Sequence, residues 1–96
     1  MKKYLNLLSS EPLREELRNI LNIISELSEN NPETDVYDHA IISRANRPQY
    51  EVNKHLKELR LKGLIIEVFP RPSGMSFTLY RITKVGLERL DNQDLT

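Results

Sequence analysis

Leu13, Leu17, Ile20, Ile24 and Leu27 recur at spacings of 4, 3, 4 and 3, which is the repeat of one face of an α-helix. Leu21 and Ile23 widen that face, while Arg14, Glu15, Arg18, Asn22 and Glu26 lie opposite. Ser10 or Glu11 with Pro12 marks the start, because a first-turn proline gives up no internal hydrogen bond. Asn30-Asn31-Pro32 marks the end. So wide an apolar face suits a central core helix, or one that also meets a second subunit.

A second, short helix is predicted from residue 36 to about 44, after Thr34 or Asp35 as a cap, with Val36, Ala40 and Ile41 facing inward. Ala45-Asn46-Arg47-Pro48 interrupts it: Asn tolerates left-handed backbone, and Pro48 can open the next helix. The third helix is predicted over residues 48–62. Val52, Leu56 and Leu59 form its buried side, Tyr50, Lys54, Lys57 and Leu61 its outer side, and Gln49 and Asn53 its flanks. Gly63 stands where a glycine releases a helix. Residues 64–69 and 76–82, rich in β-branched and aromatic positions, read as an antiparallel hairpin around Pro70-Arg71-Pro72-Ser73-Gly74. Thr83 caps a last helix over 84–90, and the polar residues 91–96 are expected to fray.

At 96 residues, 39% apolar and 29% charged, the chain is expected to be one α+β domain over 1–96, with residues 1–11 as an N-terminal extension. The absence of cysteine removes disulfides, thiolate metal sites and cysteine nucleophiles. No apolar run approaches the roughly 18–20 residues of a membrane span. Met1-Lys2-Lys3 is followed by too short an apolar stretch for a signal peptide, so a cytoplasmic protein is expected.

Charge changes the picture. Fourteen Lys/Arg balance fourteen Asp/Glu, but unevenly. Residues 1–43 hold four basic and eight acidic side chains, net −4. Residues 44–84 hold nine basic and three acidic, net +6, and residues 85–96 one basic and three acidic, net −2. The basic stretch coincides with the third helix and the hairpin, which suits a polyanion.

Helix, helix, turn, helix, hairpin, helix is the order of a winged helix-turn-helix: a three-helix bundle with a two-stranded wing and a short last helix. The run Val52-Asn53-Lys54-His55-Leu56-Lys57-Glu58-Leu59-Arg60-Leu61-Lys62-Gly63-Leu64-Ile65 resembles the recognition helix and first wing strand of such proteins. The run Tyr80-Arg81-Ile82-Thr83-Lys84-Val85-Gly86-Leu87-Glu88-Arg89-Leu90 resembles the strand-to-helix exit of the MarR and PadR families of transcriptional regulators, and Tyr37-Asp38 is similar to PadR proteins. The resemblance covers about residues 12–90 and is more specific for the fold than for a target. It implies a homodimer on double-stranded DNA. Many members dimerise through long C-terminal helices, whereas the last helix predicted here, over 84–90, has only about two turns. Tyr4, Leu5, Leu7 and Leu8 and the broad first helix are the expected replacement.

On this reading Gln49, Tyr50 and Asn53 approach base edges in the major groove, since Asn and Gln can pair bidentately with adenine. Arg44, Arg47, Lys54 and Lys57 meet phosphates. Arg71 and Ser73, at the wing tip, reach the minor groove or backbone. Leu61 either packs under the wing or is exposed. His39 is expected on a helix surface and His55 beside the buried face of the third helix; without cysteine or a His pair at ligand spacing, no metal or cofactor is expected. Nothing combines a nucleophile, base and orienting group, so no enzyme is expected. The reading is a sequence-specific transcriptional regulator, such as a repressor. Its alternatives are an architectural or plasmid-partition protein that coats DNA, and a winged helix used for protein–protein contact.

Overall fold

The apolar stripe of the first helix is largely buried by its own chain. In the computed structural model, which describes residues 13–68 and 77–94, α1 (Glu15–Leu27) carries buried Leu17, Ile20, Leu21 and Ile24. It packs against α2 (Asp38–Ala45), α3 (Gln49–Leu61), β3 (Leu79–Ile82) and α4 (Lys84–Asp94). Ile23 and Leu27 are partly buried against the same core. The breadth of the face therefore belongs to a central helix. Tyr4, Leu5, Leu7 and Leu8 lie outside the described residues.

Local signals place most helix ends. Glu15 and Glu16 in the first turn of α1 complement its dipole. At its other end Glu29 and Asn30 take positive φ, and the Asn30 N–H donates to the Ser25 carbonyl at 2.9 Å. The Ser25 hydroxyl also donates to Asn30 Oδ1. α3 closes as the lone glycine there requires: Gly63 has φ 77°, its N–H donates to Arg60 O at 3.0 Å, and the Leu64 N–H donates to Leu59 O at 3.1 Å. Thr83 caps α4, its hydroxyl oxygen accepting from the Gly86 N–H at 3.0 Å and donating toward the Gly63 and Leu64 carbonyls at 2.8 and 3.0 Å. A Cβ on Gly86 would stand 2.3 Å from the Leu64 carbonyl oxygen, so this close approach needs glycine.

Three expectations are corrected. Residues 36 and 37 do not begin the second helix. They form β1 (Val36–Tyr37), antiparallel to β3, with Val36 opposite Tyr80 and Tyr37 opposite Leu79. A two-residue strand has no period of its own to show. The helix begins at Asp38, whose N–H reaches the Thr78 carbonyl at 3.0 Å and whose Oδ1 accepts from the His39 N–H at 2.7 Å. The strands of the hairpin are shorter than predicted, β2 (Ile65–Glu67) against β3. The last helix runs past residue 90 to Asp94, through residues expected to fray. No glycine or proline follows Leu90 to stop it.

The result is an α+β fold with a three-stranded antiparallel sheet in the order β1-β3-β2. In β2 and β3, Ile65 stands opposite Ile82 and Ile66 opposite Arg81. The core unites Leu17, Leu21 and Ile24 of α1 with Ile41, Val52, Leu56, Leu59, Leu64, Ile65 and Ile82. Among the described residues no helix is long and apolar enough to cross a membrane.

Candidate nucleic-acid interface

α2 and α3 are joined by three residues, Asn46, Arg47 and Pro48. Asn46 takes the left-handed conformation (φ 54°, ψ 44°) with its N–H on the Ile42 carbonyl, and the Pro48 carbonyl accepts from the Glu51 and Val52 N–H groups. The turn thus ends one helix and starts the next without a spare residue. It also fixes which side of α3 faces out.

Val52, Leu56 and Leu59 point into the core, so the other side of α3 is solvent-facing. Gln49, Tyr50, Asn53, Lys54 and Lys57 are all exposed. At 100° per residue they fall within an arc of about 140° together with Leu61. Tyr50 is 76% exposed and Leu61 74%. Leu61 therefore does not pack under the hairpin.

Charge pairing separates the cations that the sequence groups together. Arg44 is held by Glu26 of α1 at 2.7 Å, and Arg47 approaches Glu51 at 4.0 Å. Arg60 meets Glu67 at 3.3 Å, and Arg81 meets Asp35 at 2.5 Å. Among the described residues, Lys54 and Lys57 form no ion pair. Arg44 and Arg47 flank an open groove of about 730 Å³ between α1 and the start of α3, with Ile20, Ile23 and Ala45 at its base and Tyr50 and Lys54 on its rim.

A bidentate contact ties α3 to α1. Arg14 Nη1 and Nη2 donate to Glu58 Oε2 and Oε1, each at 2.8 Å. The guanidinium's hydrogen bonds hold the Glu58 carboxyl below its ordinary range, and the same contact raises Arg14. The fork-on-fork geometry adds a directional contact between α1 and α3, beside the buried Val52, Leu56 and Leu59 that orient the helix.

Arg71 and Ser73 lie outside the described residues. Of the other candidates, the structure gathers five on α3 and sets Arg44 and Arg47 at its N-terminal end. Two features escape the sequence. Glu26 and Arg44 are 18 positions apart and belong to different helices, so their pairing has no local signature. The outer face of the sheet becomes visible only once the register is known. His39 is exposed beside Asp38, and His55 is half-buried. Among the described residues no group of three or more His, Asp or Glu could hold a metal ion. Comparison with known protein families finds none that matches, and no curated protein is significantly similar to the chain.

Proposed function

We propose that the chain is a winged helix-turn-helix protein that binds double-stranded DNA as a homodimeric, MarR/PadR-like transcriptional regulator, with α3 in the major groove. The observation that carries this reading is the exposed arc of α3. It combines Lys54 and Lys57, which form no ion pair among the described residues, with Gln49, Tyr50 and Asn53, whose side chains donate and accept hydrogen bonds. A helix about 20 Å long fits the groove. Two helices joined by a three-residue turn are compatible with a helix-turn-helix, and the element order with its small antiparallel sheet is compatible with a wing.

In this proposal the lysines neutralise phosphates and position the helix, while Asn53 and Gln49 distinguish base edges. Arg71 and Ser73 extend the contact at the wing. Nothing in this function calls for a cofactor or a catalytic step. A cytoplasmic location belongs to the same proposal.

The test uses a preferred duplex, selected from a random pool, alongside a random duplex. Asn53→Ala is expected to weaken the preferred duplex about tenfold and leave the random one unchanged, the loss typical of one bidentate base contact. Lys54→Ala and Lys57→Ala are expected to weaken both duplexes alike and to lower the salt slope by about one each. Equal effects of all three changes on both duplexes would remove the division of labour. The rival reading, protein docking through α3, is favoured by exposed Leu61. It predicts a partner lost with Leu61→Lys and little dependence on salt.

A further inference from the structure

The strand register gives the sheet a second apolar face. Partners across an antiparallel pair lie on one side, and so do residues two apart along a strand. Val36, Tyr80, Ile82, Ile65 and Glu67 therefore share the core side. Tyr37, Leu79, Arg81 and Ile66 share the other. Phe77, two residues before Leu79, joins them, since its ring meets Tyr37 edge-on at 5.0 Å. Val68, whose N–H donates to the Leu79 carbonyl at 2.9 Å, extends the row beyond Ile66.

Among the described residues, no helix packs over this outer face. Tyr37 is 53% and Ile66 48% exposed, and Val68, Phe77 and Leu79 are half-buried. Its charged members among the described residues are Arg81 and Asp35, one of each sign, paired at 2.5 Å. These two cancel, so the described part of the face offers a polyanion no net charge. A patch with one acid beside one base is self-complementary under a two-fold axis, which brings each Arg81 to the partner copy's acid.

We infer that the outer sheet face pairs with the same face of a second copy of this chain. The choice of a second copy rests partly on the DNA reading, because one helix reads too few base pairs for a specific site and a two-fold pair reads two half-sites. The few partly exposed apolar side chains of this face offer less than the roughly 800 Å² that each partner gives to a standard stable interface. The pair is accordingly weak in free solution, with a Kd of about 10 μM to 1 mM, and is completed on DNA.

The test is sedimentation equilibrium of the full chain up to about 1 mM without DNA. The apparent mass is expected to rise from 11.3 kDa towards twice that value. Ile66→Glu is expected to hold it at the monomer with an unchanged circular dichroism spectrum. Arg81→Asp and Asp35→Arg, each alone, are expected to stay monomeric, while their equimolar mixture pairs. A wild-type chain that stays monomeric assigns the face to a different occupant and overturns the inference. So does a dimer that Ile66→Glu leaves intact, or charge-reversed variants that pair alone and not together. The DNA reading is checked separately, by binding of Ile66→Glu to a random duplex. Unchanged salt dependence there leaves it standing whichever way the mass goes, and loss of all binding by the wild type removes it without touching the pairing result.

Discussion

At the scale of single residues, Arg14 and Glu58 show how a surface contact can serve a binding surface. Neither side chain contacts DNA in the proposed complex. Their bidentate bond joins the start of α1 to α3, the helix that carries Asn53 and Lys54. The contact also has a pH signature. Because the folded-state pKa of Glu58 is lowered, its contribution is present above the unfolded carboxyl value, near 4.3, and is lost as pH falls through the lower folded value. Arg14 stays charged throughout. Thermal melts from neutral pH into the acid range are therefore expected to fall less steeply for Glu58→Gln than for the wild type. Parallel curves would show that the pair contributes nothing to folding.

At the scale of elements, the sequence carries what is local. The spacing of Leu17, Ile20 and Ile24 places α1, that of Val52, Leu56 and Leu59 orients α3, and Asn46 and Gly63 occupy the left-handed positions their chemistry favours. The outward arc of α3 is legible for the same reason, since it is the complement of the buried stripe. What the sequence does not carry depends on distant partners. β1 exists because Thr78, Leu79 and Tyr80 offer it backbone groups. Two consecutive β-prone residues before a helix give no such sign. The sequence offers Arg44 as a phosphate ligand but gives no sign that packing α1 against α2 also pairs it with Glu26. That pairing makes a prediction about the elements. Glu26→Gln frees the guanidinium at the edge of the proposed interface. It is expected to tighten DNA binding about two- to tenfold at low salt and to steepen the salt slope by about 0.9, one added phosphate contact. An unchanged slope would place Arg44 outside the interface.

At the scale of the whole molecule, a formal charge of zero conceals a division of surfaces. The outward arc of α3 is cationic and polar, and the outer sheet face is apolar and neutral. The core between them, centred on α1, fixes one relative to the other. We assign the first surface to DNA and the second to another copy of the chain. The most direct test of the central claim, DNA binding, is fluorescence anisotropy of a random-sequence duplex of about 30 base pairs, titrated with the full chain at roughly 50 and 200 mM salt. Binding is expected at the lower salt and should weaken by about 10- to 100-fold at the higher, the response of two to four phosphate contacts. No binding at the lower salt, or binding indifferent to salt, would contradict the claim.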